Sequence, residues 1–355
     1  MLQFHRASAG FFVILSTIFL LAGCGKDTAP GSSSSTTPVF DTANAGKPVT
    51  ENTGHFVYLR PTVGEVYRYR MQIISGGTAQ HIDSLFHQYP PNEKLSVKTT
   101  IYMRHTIRQI RQDSSVDIAF RFDTIQTVTE ANGKKTDLST ARPADLNDPQ
   151  FNNAAALAGK DLGAIVTRNG DIVELYGTTA ILAQFMTKLP DSMKTQQTQA
   201  RLNQQLQTTI SEYLQKTLTH FPLKPIAKDT SWGGMATQNT PVWQNVMYPT
   251  EIQSREVVRG FEERNGKVLV IFDASTSVKP VQSVMDQGNA KTTVNNFELV
   301  TKASSHVEDE TGVLVYRKIT QDRATNFVIE SKLKPDQRYQ FISKANEITT
   351  VELLQ

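Results

Sequence analysis

The stretch LSVKTTIYMRHTIRQIRQDSSVDIAFRFD (residues 95–123) decides the fold class, because its apolar residues recur at every second position. This period is typical of strands with one buried face. On the first strand the apolar face carries Leu95, Val97, Ile101, Met103, His105 and Ile107. On the second it carries Val116, Ile118, Phe120, Phe122 and Val128. The polar residues 112–115 lie between the two runs, so the sequence predicts an antiparallel hairpin of long strands.

The same alternation appears on both sides of this hairpin. Residues 67–73 form one more predicted strand, and Asn169-Gly170 between two short apolar runs is a strong hairpin turn signal. Further along, predicted turns lie at Asn265-Gly266 and at 309–312. The strands predicted around them are 252–261, 268–278, 297–307, 313–319, 325–331 and 339–354.

Between Thr178 and Phe221 the period changes to that of a helix. Pro190-Asp191 separates two apolar stripes there, which predicts two helices. The first stripe is Ile181, Leu182, Phe185, Met186 and Leu189, and the second is Leu202, Leu206, Ile210, Tyr213, Leu214, Leu218 and Phe221.

These patterns predict an α+β fold that is predominantly antiparallel β. We expect two curved β-rich halves, at 54–177 and 222–355, with the helical segment 178–221 packed between or across them. Both halves run through an entry segment, long strands and a hairpin with glycine in its turn. That shared order is consistent with an internal duplication and equally with two unrelated hairpin-built halves.

The N-terminus has the order of a secretory signal peptide over residues 1–23, with an apolar run too short to span a membrane. Leu21, Ala22 and Gly23 then precede Cys24, and this stretch resembles the lipobox of bacterial lipoproteins. The resemblance implies that Cys24 becomes the acylated N-terminus, as a permanent lipid anchor. Residues 24–53 are rich in Gly, Ser, Thr and Pro, which predicts a flexible tether. The alternative interpretation of the leader is a membrane anchor helix or a buried core helix.

The residues after Cys24 indicate the cellular location of the protein. Gly25 stands where lipoproteins retained at the inner membrane carry an aspartate, so the resemblance implies the outer membrane. Lys26-Asp27 partly resembles a surface-display signal of Bacteroidetes-type lipoproteins. Both the periplasmic face and the cell surface therefore remain open.

Three short motifs resemble an uncharacterised family of bacterial lipoproteins. They are the entry Pro61, Gly64, Glu65, Tyr67 and Tyr69, the turn at 168–171, and the passage at 221–232 that ends in Asp-Thr-Ser-Trp. Lys228 departs from the glycine expected before that ending. The resemblance implies export, membrane anchoring and a β-rich domain, and it implies no catalytic residue.

Composition excludes several classes of function. Cys24 is the only cysteine, so internal disulfides and thiolate metal sites are excluded. The formal net charge of +3, without a basic run, argues against nucleic-acid binding. No nucleophile or phosphate-loop motif occurs, and His81, Asp83 and His87 fit no compact metal motif. We therefore expect no catalytic residue, no metal and no cofactor, and hence no enzyme.

The strand faces suggest where a ligand could bind. A curved sheet covered by a helix could present an apolar cavity, although an ordinary sheet–helix core explains the same residues. The candidate lining residues are Tyr67, Tyr69, Met71, Met103, His105, Phe120 and Phe122. The favoured hypothesis is a non-catalytic binding module for an envelope protein, anchored at the outer membrane. A carrier of a lipid or other hydrophobic ligand is the alternative, and a hydrolase is the third hypothesis.

Overall fold

The structure of the protein is a computed structural model that describes residues 46–49, 54, 56–84, 92–131, 133–243, 246–288, 290–334 and 336–354. The leader, Cys24 and most of the predicted tether lie outside these residues. The short strand β1, at Lys47–Val49, falls inside the range predicted as a tether and pairs with strand β9, at Val246–Arg264. The predicted flexible range therefore extends too far by these residues.

The other strands are long, and several exceed 17 residues. The N-terminal half contains β2 (Val66–Asp83), β3 (Asn92–Ile110), β4 (Val116–Ala131), β5 (Lys134–Ser139), β6 (Asp161–Val166) and β7 (Ile172–Tyr176). The C-terminal half contains β8 (Ser231–Trp243), β9, β10 (Lys267–Pro280), β11 (Val284–Gln287), β12 (Ala290–Glu308), β13 (Leu314–Ser331) and β14 (Arg338–Leu354). The predicted hairpin is confirmed as β3 and β4.

All strands belong to one open antiparallel sheet with the order β1-β9-β10-β12-β13-β14-β2-β3-β4-β6-β7. Strand β14 pairs with β2 along 16 residues from Tyr339↔Asp83 to Leu354↔Arg68, and this pairing joins the two predicted halves. The expectation of two separate curved units is therefore replaced by a single continuous sheet. Beside the main order, β5 pairs with β4, β11 with β12 and β8 with β9.

Three helices cover one face of this sheet, which we call the inner face. They are α1 (Asn152–Leu157), α2 (Thr179–Lys188) and α3 (Gln196–Thr217). The Thr195 hydroxyl accepts the Thr198 N–H at 3.1 Å and caps the start of α3. Residues of both predicted apolar stripes are buried in α2 and α3, which confirms the helical prediction. Helix α1 was not predicted, because it is short and preceded by two 3₁₀ turns.

The main core lies between the helices and the inner face. One row of paired residues crosses eight strands there, consisting of Val258, Phe272, Ser305, Arg317, Val351, Met71, Ile101 and Ile125. A second, smaller apolar cluster lies where the strands end farther from the helices, around Tyr248, Phe297, Phe327 and Tyr339. The ladder pairs on the inner face between the two clusters carry hydroxyl, amide and carboxylate groups, including Thr301, Gln321 and Glu347.

Two details differ from the sequence prediction for a local reason. A bulge at Asp123 shifts the β3–β4 register, so Ile125 is buried and Val128 pairs with Lys98 on the other face. The predicted strands 313–319 and 325–331 are one strand, β13, because the polar residues between them continue the ladder with β12 and β14.

Candidate functional site

The residues predicted to line a cavity are packed against the helices. Six of the seven are buried in the main core, and Tyr67 is partly buried against it. The ring of Phe122 lies 5.9 Å from that of Tyr213 on α3, in an edge-to-face arrangement. The helix therefore occupies the space above this part of the inner face, and neither groove described below is lined by these seven residues.

His105 is the polar member of this set. Its Nε2 lies 3.1 Å from Met103 Sδ and 3.5 Å from Thr217 Oγ1 on α3, and its ring lies 4.9 Å from that of Tyr69. Burial lowers the pKa of His105 to about 3, because the charged imidazolium is poorly solvated there. The ring is therefore neutral at physiological pH, and it contributes packing between sheet and helix.

Arg317 fixes the end of α3 over the sheet. Its guanidinium is partly buried on the inner face, and its Nε donates to Ser305 Oγ at 2.8 Å. The remaining donors contact the helix end, with acceptors Gln215 O, Lys216 O, Leu218 O and Thr219 Oγ1 at 2.7–3.2 Å. Carbonyls at a helix C-terminus lack partners within the helix and carry a partial negative charge. Burial lowers the pKa of Arg317 to about 10, so it stays protonated in this role.

The chain after α3 runs from one free edge of the sheet to the other, over residues 219–226. Phe221 N donates to Asn169 O at 2.9 Å in the β6–β7 turn, and Lys224 Nζ donates to Ser231 O at 3.1 Å at the start of β8. Phe221 and Ile226 are both buried, while Leu223 between them is 84% exposed. The 219–226 segment is thus anchored at both ends and presents an apolar side chain to solvent in its middle.

An open groove of about 680 Å³ lies between this segment and the strands β8 and β9, and we call it the β8 groove. The residues that line it are His220, Pro222, Leu223, Lys224, Trp232, Gly233, Ser254 and Glu256. Trp232 and Glu256 are direct partners in the β8–β9 ladder, and the Trp232 ring packs edge-to-face on Phe272 at 5.8 Å. The aromatic ring is therefore held by the core, while the carboxyl lies beside it.

Glu256 in the β8 groove has a raised pKa. Partial burial raises the pKa of its carboxyl, while His220, Arg317 and the Trp232 indole act in the opposite direction. The basic groups nearby are already engaged: His220 Nδ1 lies 3.1 Å from Asp171 Oδ1, and Lys224 donates to Ser231 O. No ion pair joins Glu256 to another side chain of the described residues. The groove thus places a carboxyl, on which the Trp232 indole also acts, next to an aromatic ring.

The sequence analysis did not find this site. Its signal was present, because Ile252, Ser254, Glu256 and Val258 alternate onto the same face of β9, where a glutamate interrupts an otherwise inward-facing series. A carboxyl at an inward position of a strand is a recognisable functional signal. Trp232 lay outside every predicted strand, since β8 has no clear alternation of apolar residues.

A second groove of about 450 Å³ lies along β2, β3 and β14, with Ala79, Glu93 and Ser343 among its lining residues. Nearby, His81 and Asp83 lie on strand β2. His81 Nδ1 lies 2.8 Å from Tyr339 Oη, and His81 Nε2 lies 3.7 Å from Glu93 Oε2. His87 lies outside the described residues. Within the described part of the chain, no three His, Cys, Asp or Glu side chains come together as metal ligands.

No helix in the described ranges has the length and apolar character needed to cross a membrane. No curated protein matches the sequence. A family model described as "Family of unknown function (DUF6263)" matches residues 113–314, which is more than half of the chain. The chain belongs to this family. The matched range contains the β8 groove, the 219–226 segment and all three helices.

Among solved structures, the chain is similar to lipovitellin from a study of lipid–protein interactions, with 9% identity and a TM-score of 0.43. The similarity covers 83% of this chain and 26% of that one, so the chain spans about a quarter of the lipovitellin chain. An outer membrane channel from Pseudomonas putida F1 has 8% identity and a TM-score of 0.20, over 86% of this chain and 99% of the channel. A mutant porin of Rh. blastica has 7% identity and a TM-score of 0.18, over 80% and 99%. These scores carry no inference about function.

Proposed function

We propose that the protein is an envelope lipoprotein, anchored at the outer membrane through Cys24, whose folded part is a non-catalytic binding module for another envelope protein. The observation that carries the binding role is the β8 groove. An exposed apolar side chain, a fixed aromatic ring and a carboxyl without an ion-pair partner among the described residues converge there at the surface. Such a combination is typical of recognition sites, in which apolar anchors supply affinity and a few polar groups orient the partner.

The chemistry of the groove defines the segment that fits it. Leu223 and Trp232 suit an apolar side chain, and Glu256 suits a lysine or arginine from the partner. At the rim, His220 already contacts the Asp171 carboxylate, and Lys224 is tethered to the Ser231 carbonyl, where it keeps its charge. A partner segment with an apolar residue next to a basic one is therefore the favoured occupant.

The alternative hypothesis, a lipid carrier, has a separate test. The inner face beneath α3 is filled by core side chains, so a lipid would have to bind elsewhere. Mass spectrometry of natively extracted protein would detect a stoichiometric lipid if the protein were a carrier. The proposed module predicts none.

The binding experiment places a photo-crosslinking amino acid at Leu223 in the full chain in cells. The matched control is Val173 on β7, which is 67% exposed and lies outside the groove. We expect Leu223 to capture one envelope protein repeatedly, and Glu256→Gln to reduce that capture several-fold. Absence of any reproducible adduct at Leu223, or equal adducts at Val173, would contradict the proposal.

Anchoring is tested separately. Cys24→Ser should abolish labelling by a fatty-acid analogue and release the protein from the membrane fraction. If the variant stays labelled and membrane-bound, the lipid anchor is wrong, whatever the groove binds.

A further inference from the structure

Strand β8 forms an edge of the sheet that differs from every other edge the structure describes. It is 13 residues long, its sequence SWGGMATQNTPVW contains no charged residue, and its only ladder partner is β9. The other edge strands within the described ranges, β1, β5, β7 and β11, are three to six residues long, and each carries a charged residue. Short length and charge are the usual devices that stop an edge from pairing with another chain. Strand β8 has neither device.

Both faces of β8 are also open over residues 233–239. Residues 233–239 are all exposed, including Met235 at 69%, so neither the core nor a helix covers this part of the strand. The ladder with β9 is then the main source of order for these residues. A second ladder on the free edge would satisfy the remaining backbone donors and acceptors.

The glycines of β8 indicate what the strand pairs with. Gly233 is required by this chain's own fold, since its φ is +141° and an added Cβ would lie 2.2 Å from Ser254 O. Gly234 is not, because an added Cβ would meet no atom within 4 Å. A glycine inside a strand weakens it and often marks a place where another backbone approaches closely. Nothing in the described part of the chain therefore requires a glycine at position 234, and a close approach by another backbone would.

We propose that the free edge of β8 pairs with β8 of a second copy of this chain, antiparallel across a two-fold axis at Ala236. In this register Met235 faces Thr237, and the two glycines face the two amide side chains of this stretch, Gln238 and Asn239. The pairs are Met235 with Thr237, Gly234 with Gln238 and Gly233 with Asn239. Room for each large side chain is thus supplied by the other copy, as an isologous interface requires.

The ends of the strand agree with this register. Pro241 pairs with Ser231 of the second copy, and proline has no N–H to donate to a ladder. Ser231 O already accepts a hydrogen bond from the Lys224 ammonium group. Both ends of the symmetric ladder therefore stop at the same residue pair. Without charges on either strand, no like-charge repulsion opposes the approach of two identical edges.

The first test is disulfide trapping of the full chain in intact cells. Paired residues of antiparallel strands have Cα atoms about 4.5–5.5 Å apart, within the range that a disulfide bridges. Cys24 is the chain's only native cysteine, so Ala236→Cys adds one new thiol. The matched controls are Val173→Cys on β7 and Leu333→Cys, because the native Val173 and Leu333 are 67% and 73% exposed. The unsubstituted chain controls for Cys24.

We expect mild oxidation to produce a band at twice the chain mass for Ala236→Cys, and not for the controls. No dimer at 236, or a dimer of equal yield at 173, would overturn the proposal. An adduct of 236 with a different protein would also overturn it, since the occupant of the edge would then be another chain.

The second test is charge exchange. Ala236→Lys and Ala236→Glu each place like charges opposite each other in the symmetric pair, so each variant alone should be monomeric. Two differently tagged copies, one with lysine and one with glutamate, should co-purify when expressed together. Native far-ultraviolet circular dichroism and a cooperative thermal transition of each single variant show that the fold is intact, although loss of association lowers the midpoint. Failure of the mixed pair to associate, with both variants folded, would contradict the two-fold register.

Discussion

His105 and Arg317 hold the helical layer on the sheet, and substitution of either residue has a measurable effect on stability. His105 supplies a neutral polar side chain at the contact between the inner face and α3. Arg317 supplies a positive charge at the end of the same helix. Neither touches the β8 groove lining directly, but together they fix the start of the 219–226 segment that forms one wall of it.

We expect His105 to make stability depend on pH. The pKa of His105 is lowered by burial to about 3, whereas an unfolded histidine titrates near 6.5. Between those values the unfolded chain binds a proton that the native chain does not, so stability falls as pH falls from 6.5. Between pH 7 and pH 5 the loss from this residue is about 2 kcal/mol.

The measurement is urea unfolding of the native chain and His105→Leu at both pH values. The difference in unfolding free energy between them should shift in favour of the leucine variant by that amount at pH 5. Parallel pH profiles would show that His105 is not buried in a neutral state.

We expect Arg317→Leu to destabilise the fold by about 2–3 kcal/mol, because it removes a partly buried hydrogen-bonded charge and leaves helix carbonyls without donors. Arg259→Leu is the matched control, since Arg259 pairs with Asp273 at an exposed position and should change stability by about 0.5 kcal/mol or less. Chemical unfolding measures both. Equal effects would mean that Arg317 does not hold the helix end.

At the scale of elements, the β6–β7 turn contacts the 219–226 segment, and this segment forms one wall of the β8 groove. Gly170 in this turn has φ +90°, and a Cβ there would lie 2.0 Å from Thr219 O. Gly266 in the β9–β10 turn has φ +74° with open space around it. Both glycines therefore have a left-handed backbone, but only Gly170 also lies too close to another backbone atom to accommodate a Cβ.

We expect Gly266→Ala to lose about 1–2 kcal/mol, the usual cost of a left-handed alanine. Gly170→Ala should lose more, and it should also reduce capture from Leu223, because Thr219 must move. Thermal or urea unfolding compares the two variants. If both lose the same amount, the turn and the segment are not in close contact.

The elements that sequence patterns predicted are those with a clear period. The β3–β4 hairpin and helices α2 and α3 each bury an apolar face that repeats at two or at 3.6 residues, and these were found. The bulge at Asp123 was not, because nothing local distinguishes a strand residue that leaves the ladder. Strand β8 was missed for a related reason: with both faces exposed, it has no buried face to impose alternation.

The candidate site was missed because it is made by tertiary structure. Glu256, Trp232 and Leu223 come from two strands and a connecting segment, and no spacing in the sequence brings them together. The residues favoured beforehand, such as Phe122 and Met103, are buried together in the main core. Their aromatic character reflects a sheet–helix core, as an apolar strand face usually does.

At the scale of the whole molecule, the 16-residue pairing of β14 with β2 makes the sheet continuous between the N-terminal and C-terminal strands. The main core also draws side chains from both halves, among them Met71, Phe120, Phe272 and Val351. Two separately stable halves are not expected from this arrangement.

We therefore expect the chain to unfold in one cooperative transition by heat or urea, with near- and far-ultraviolet circular dichroism giving coincident curves. Pieces covering residues 54–221 and 222–355 should each fail to show a cooperative transition when expressed alone. Two resolved transitions, or one half that folds by itself, would contradict a single unit.

The central claim is that the β8 groove is the binding surface and that the Glu256 carboxylate takes part in it. The most direct measurement is the yield of photo-crosslinking from Leu223 between pH 7.5 and pH 5, in the native background and with Glu256→Gln. Burial raises the pKa of Glu256, so its negative charge is lost progressively as pH falls, while Gln has no charge to lose. His220, Lys224 and Arg317 are the other charged or titratable groups at this site, and they are common to both backgrounds.

We expect capture to be high at pH 7.5 and to decline with acidification in the native background, and to be low and nearly independent of pH with Gln. Equal yields in the two backgrounds at every pH, or no capture from Leu223 at all, would contradict the claim.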